Sequence, residues 1–112
     1  MKEKRKFVRI PENSQIYYKL VSEKNYQASL TKDISQGGIR FFIHEFIPKN
    51  SLLEIKIILG KILFTFEALV KVKWIDKEAH GERYEVGAEF VNILEEAKER
   101  LTDYINDILT RK

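Results

Sequence analysis

From residue 14 onward, hydrophobic positions recur with a period of two, the spacing of strands that turn one face to a core. Ile16, Tyr18 and Leu20 alternate with Gln15, Tyr17 and Lys19. A second run holds Ala28, Leu30 and Ile34, and Lys32 interrupts it as a β-bulge would. Ile39, Phe41 and Ile43 form a third run, and Leu53, Ile55, Ile57 and Leu59 a fourth. The fifth is the longest: Ile62, Phe64, Phe66, Ala68, Val70, Val72 and Trp74 are predicted to face one way, with Thr65, Glu67, Lys71 and Lys73 facing the other. Tyr84, Val86, Ala88 and Phe90 make the sixth. Gly37-Gly38, Pro48-Lys49-Asn50, Gly60-Lys61 and His80-Gly81 supply turn chemistry between runs, and Gly60-Lys61 predicts a tight hairpin.

After Asn92 the period becomes helical. Leu94, Ala97, Leu101, Tyr104, Ile105, Ile108 and Leu109 recur at spacings of three and four, with Glu95, Glu96, Lys98, Glu99 and Asp103 between them. Glu95 and Glu96 at its start and Arg111 and Lys112 at its end suit the helix dipole. The apolar stripe is expected to pack on the sheet; the alternative is a helix offered to a partner. Six antiparallel strands of this length remove their unpaired edges by closing. The expected fold is therefore all-β: a small six-stranded antiparallel β-barrel with a C-terminal α-helix.

The chain has 112 residues, 44% of them hydrophobic, which suits one core. The expectation is a single domain over 1–112, with a basic arm at 1–10, the barrel at 14–91 and the helix at 94–110. Without cysteine there is no disulfide framework, thiolate nucleophile or Cys-based metal site, which fits a reducing compartment. The apolar stretch from Ile57 to Val70 is broken by Lys61 and Glu67 and is shorter than the roughly 18 residues of a membrane span. No apolar signal region follows the charged N-terminus. The expected location is the cytoplasm.

Charge changes the picture when it is divided. Residues 1–9 carry Lys2, Lys4, Arg5, Lys6 and Arg9 against Glu3, a net +4. The whole chain is +3, so the remainder is −1. A protein tracking long nucleic acid spreads positive charge over its face; here one short arm holds it. Enzyme chemistry finds little support. His44 and His80 stand far apart without a second ligand at metal-site spacing, and no nucleophile-elbow serine or phosphate-cradling loop occurs.

Two segments carry candidate chemistry. In Lys4-Arg5-Lys6-Phe7-Val8-Arg9, two arginines stand four apart just before the first strand. A guanidinium can grip a phosphate in two contacts, pair with the O6/N7 edge of guanine or stack on a base, although alone such an arm reads as a solvated tail. Asp33-Ile34-Ser35-Gln36-Gly37-Gly38 bridges the second and third strands. Alone it reads as an Asx- or Ser-type turn whose glycines adopt positive φ. Its other reading has Asp33 accepting from guanine N1 and N2 donors, Ser35 donating to a neighbouring polar group and Gly38 letting backbone approach a ligand.

Together the segments resemble the PilZ domain family, whose paired motif is Arg-x-x-x-Arg near the N-terminus and Asp/Asn-x-Ser-x-x-Gly between two barrel strands. Arg5 and Arg9 match the first; Asp33, Ser35 and Gly38 match the second. Gly37-Gly38-Ile39, Val72-Lys73-Trp74 and the segment from Tyr84 to Phe90 extend the resemblance over roughly 4–109. It implies a non-catalytic receptor for the bacterial messenger cyclic di-GMP, with no other cofactor, acting on an unknown downstream protein in motility, adhesion or exopolysaccharide production. Carried over, Arg5 and Arg9 clamp the ligand, Asp33 reads a guanine edge, Ser35 and Gly38 complete the pocket, and Lys4 adds a phosphate contact. Ordering nine free residues would cost about 9–18 kcal/mol, close to what the contacts return. Phe7, Val8 and Ile10 are therefore expected to anchor the arm. Two other readings remain: a PilZ-like adaptor that binds protein without nucleotide, and a small-barrel binder of single-stranded nucleic acid using Tyr17, Tyr26 and Phe42 as stacking platforms.

Overall fold

The computed structural model describes residues 7–60 and 62–111. Its strands are β1 (Ile10–Pro11), β2 (Gln15–Leu20), β3 (Gln27–Ile34), β4 (Gly38–Ile43), β5 (Leu52–Leu59), β6 (Phe64–Lys77) and β7 (Tyr84–Ile93), followed by helix α1 (Glu95–Thr110). All pairings are antiparallel, in the order β3-β2-β5-β6-β7-β4, and β4 returns to pair with β3. The ring of six strands is closed. The short β1 adds to β3 ahead of β2, pairing Ile10 with Ile34 and Pro11 with Asp33.

Alternation places Ile16, Tyr18, Ile39, Phe41, Ile43, Leu53, Ile55, Ile57, Leu59, Val70 and Val72 inside the barrel. The second run departs from expectation: Ala28 and Leu30 face outward, and Thr31 faces in. Thr31 pairs with Phe41, and Asp33 with Arg40, so Lys32 is indeed the bulged residue. Because the bulge inserts one residue, the inward set upstream of Ile34 shifts parity. A buried polar cluster fills the resulting inward position. The Thr31 hydroxyl donates to the Glu12 carbonyl at 2.5 Å and accepts from the Ser14 N–H at 2.9 Å.

The Gly60-Lys61 hairpin is wider than expected. Leu59 pairs with Phe64, which leaves a four-residue connection, with Lys61 outside the described residues. Ile62 is consequently exposed and not in the core, and Leu63 takes φ 52° at the tip.

Helix α1 packs on the barrel. Leu101, Tyr104 and Ile105 enter the core, while Leu94 at the N-cap and Leu109 near the end of the predicted stripe stay exposed. The Tyr104 hydroxyl donates to Glu12 Oε1 at 2.7 Å, and the Ser14 hydroxyl donates to Glu12 Oε2, tying the helix to the β1–β2 junction. No helix among the described residues is long and apolar enough to cross a membrane.

Two buried tyrosines make stability sensitive to alkali. Burial, reinforced by Glu45, pushes Tyr18 up to about 12 even though its oxygen accepts from the His44 N–H. Burial and the Glu12 hydrogen bond raise Tyr104 as well. The folded chain keeps these protons where the unfolded chain releases them, near pH 10. Stability is therefore unaffected by them below pH 10 and declines above it, by up to about 1.4 kcal/mol per pH unit for each group. Urea midpoints measured from pH 9 to 12 should fall above pH 10, and more shallowly in Tyr18→Phe. An equal slope in that variant would mean Tyr18 is not responsible.

Candidate functional site

The site lies on the outer wall of the barrel, and strand registers assemble it. Asp33 of β3 is directly opposite Arg40 of β4; Arg40 is opposite Gly87 of β7; Gly87 is opposite Trp74 of β6. Cross-strand partners share a face, so these four residues form a row across the wall. On the far side of β3, the Ile10–Ile34 pairing brings the preceding residue, Arg9, within reach of the same carboxylate.

Arg9 Nη1 donates to Asp33 Oδ1 at 2.9 Å. Arg40 donates to Asp33 Oδ2 twice, from Nε at 2.7 Å and from Nη2. Arg40 Nη1 also faces Glu85 Oε2 at 3.7 Å, and Glu85 Oε1 accepts from Lys32 at 3.1 Å. The Asp33 side chain is 8% exposed, against 25% for Arg9 and 32% for Arg40, so the carboxylate lies beneath two guanidinium groups. Hydrogen bonding to Asp33, against partial burial, raises the Arg40 pKa further.

The inter-strand turn is built by Ser35. Its hydroxyl oxygen accepts from the Gly37 N–H at 3.1 Å and the Gly38 N–H at 3.2 Å, while the Ser35 N–H donates to the Gly38 carbonyl at 2.9 Å. Ser35 is buried and holds the turn's shape. The glycines are needed for space and not for positive φ, which neither adopts. A Cβ on Gly38 would run into the backbone carbonyl of Ala88, and one on Gly37 would sit 2.5 Å from the Phe7 ring. Gly87 is required in the same way, because a Cβ there would occupy the Trp74 indole.

Trp74 corrects the prediction that put it beside Val72 inside the barrel. Val72 pairs with Ala88 but Trp74 with Gly87, so Lys73 is bulged and the alternation reverses. Ile75 turns to the core and Trp74 turns out. Phe7, Arg9, Ser35, Arg40, Trp74 and Glu89 line an open cleft of about 350 Å³, at the lower end of the roughly 300–1,000 Å³ of small-molecule sites. A larger groove of about 570 Å³ lies between Phe64, Phe66 and α1 and is lined also by Glu67, Glu96 and Arg100.

The structure thus brings Arg9, Asp33, Ser35 and Gly38 together. Lys4 and Arg5 lie outside the described residues. Of the three expected anchors, Ile10 is fully buried, Phe7 covers Gly37 and Val8 is exposed. Sequence reading missed Arg40 and Trp74. Arg40 sits at an outward position two residues after Gly38, where a polar residue is unremarkable; Trp74 was hidden by the bulge. Tyr26 and Phe42 do not line the cleft: Lys56 lies 4.6 Å from the Tyr26 ring centre, and Arg83 lies 3.8 Å from that of Phe42. Among the described residues no cluster of His, Asp or Glu could hold a metal ion.

These features define a closed β-barrel with an arginine–carboxylate cleft on its outer wall. The family model of the PilZ domain matches residues 3–107, and the chain belongs to that family. Three solved structures share the fold at low identity. The Bacillus subtilis inhibitor of motility, MotI/DgrA, superposes with TM-score 0.81 at 18% identity, over 98% of this chain and 54% of that one. Escherichia coli YcgR in complex with c-di-GMP gives 0.78 at 14%, over 96% and 46%. The K. pneumonia MrkH–c-di-GMP complex gives 0.76 at 17%, over 96% and 52%. The chain spans about half the length of each. No curated protein sequence matches.

Proposed function

We propose that this PilZ domain is a non-catalytic receptor for cyclic di-GMP, which it binds in the cleft between Arg9, Asp33, Arg40 and Trp74. The observation that carries this reading is the buried Asp33 carboxylate held by two arginines that line one cleft with the half-buried Trp74 indole. The ligand has two phosphate charges and two guanines. Arg9 spends one N–H on Asp33, which leaves the rest of its fork for phosphate or for guanine O6 and N7. Asp33 accepts from guanine N1 and N2 donors. The Trp74 face is a stacking surface, a contact worth about 1–3 kcal/mol per base. Gly38 keeps the turn tight against β7, and Ser35 fixes the turn and not the ligand. Lys4 and Arg5 supply further cations from the arm. YcgR and MrkH, described as complexes with this dinucleotide, support the reading.

Signalling follows from local ordering and charge neutralisation. The segment ahead of Ile10 closes over a dianion, and the altered surface is read by a downstream protein.

Calorimetry with cyclic di-GMP tests the proposal. The unmodified chain should bind, and Arg9→Ala should bind about 10–150-fold more weakly, the loss of a charged hydrogen-bond partner worth about 1.5–3 kcal/mol. The ligand-free melting temperature should barely move, because Arg40 still pairs with Asp33. No binding by the unmodified chain, or tighter binding of a long oligonucleotide that weakens steeply with salt, would refute the receptor reading.

A further inference from the structure

Resting on that receptor reading, we infer that Arg40 is the resident counter-ion of Asp33. Arg9 alone exchanges between Asp33 and the ligand, so Arg40 determines guanine selectivity without being the group that grips the phosphates. A carboxylate offers about four lone-pair sites. On Asp33, Oδ2 accepts two N–H groups from Arg40 and Oδ1 accepts one from Arg9. Recognising guanine by N1–H and N2–H takes two positions, and one remains. Departure of Arg9 vacates the second on the same oxygen, Oδ1, and uncovers it toward the cleft that Arg9 and Arg40 line.

Arg9 is the side chain placed to leave. It has one contact with Asp33, and a strand of only two residues holds its segment against β3. Arg40 makes two contacts from the residue directly opposite Asp33 and is held on its other side by Glu85. A buried carboxylate left without a cation beside an arriving dianion is strongly unfavourable. Arg40 removes that obstacle by keeping Asp33 paired while Arg9 transfers to the ligand. Without Arg40, the Arg9 fork would close on both Asp33 oxygens, withdrawing the clamp and blocking the guanine reader together.

The test compares cyclic di-GMP with its inosine analogue, which lacks the guanine N2 amino group, by calorimetry. The unmodified chain should favour cyclic di-GMP by about tenfold or more, the scale set by a site acceptor left unpaired. Arg40→Met should weaken cyclic di-GMP by about tenfold or more but the analogue by less, reducing discrimination to about threefold. Arg40→Lys keeps the charge but not the two-pronged grip, and should weaken cyclic di-GMP less than Arg40→Met does while still discriminating against the analogue; it also decides the matter if Arg40→Met fails to fold. Equal weakening of both ligands in Arg40→Met would mean a direct phosphate contact or a structural role and would overturn the inference, as would an Arg40→Lys without discrimination. If the unmodified chain binds both ligands equally, Asp33 is not a guanine reader and the inference falls while the receptor reading stands. Binding of neither ligand defeats the receptor reading itself.

Discussion

Asp33→Ala is expected to weaken cyclic di-GMP more than a hundredfold while leaving the barrel folded. On the proposed reading the substitution removes the acceptor for guanine donors; in the same step it removes the anchor that pre-positions Arg9. Two charge-assisted contacts at about 1.5–3 kcal/mol each amount to roughly 3–6 kcal/mol, and each 1.4 kcal/mol is tenfold. The fold suffers less because the arginines released are both partly exposed and can be rehydrated. Loss of an ion pair from such positions is on the order of 1 kcal/mol. Calorimetry beside thermal melting separates the effects. A collapsed melting transition would make Asp33 a structural residue, and near-normal affinity would remove it from the site.

Gly38→Ala should have the opposite signature, with stability failing first. The new Cβ has nowhere to go: it meets the Ala88 carbonyl across the β4–β7 pairing, where Gly38 is opposite Glu89. Backbone held in a closed ring cannot step aside as a flexible side chain can. Overpacking of this kind costs about 1–3 kcal/mol or somewhat more, which for a domain this size is a drop in melting temperature on the order of 10 °C. Two comparison variants calibrate the result. Gly37→Ala meets only the Phe7 ring, which can swing away, and should be milder; Gly60→Ala has nothing within 4 Å and should be close to neutral. A Gly38→Ala protein that melts like Gly60→Ala would contradict the close-approach account.

Much of the architecture could be read locally. The alternation through Ile39, Phe41 and Ile43, and through Leu53 to Leu59, names residues that do line the core. The three- and four-residue spacing of Leu101, Tyr104 and Ile105 names the buried side of α1. Within the strands, failures occurred where one residue is inserted. At Lys32 the bulge reversed the facing of Ala28 and Leu30, and at Lys73 it sent Trp74 outside. A bulge leaves its residue types almost unchanged and alters only which partner each residue opposes, so periodicity continues smoothly through it. In the site, Arg9, Asp33 and Gly38 were legible because residue types at fixed spacing mark them. Arg40 was not, since an arginine on an outward strand position resembles any solvated residue until the strand beside it is known.

By itself, then, the chain determined its strand and helix periods, the charge concentrated in its first nine residues, and the paired motifs that mark a PilZ domain, all properties of residues near one another in sequence. Only the tertiary structure decided that Asp33 is shared between Arg9 and Arg40, that Gly87 makes room for the Trp74 indole, and that Ser35 is committed to its turn. Those outcomes depend on the register between strands up to 51 residues apart in the chain, as Gly38 and Glu89 are. Register is set by closing the barrel around its core, a constraint that no short stretch of residues contains.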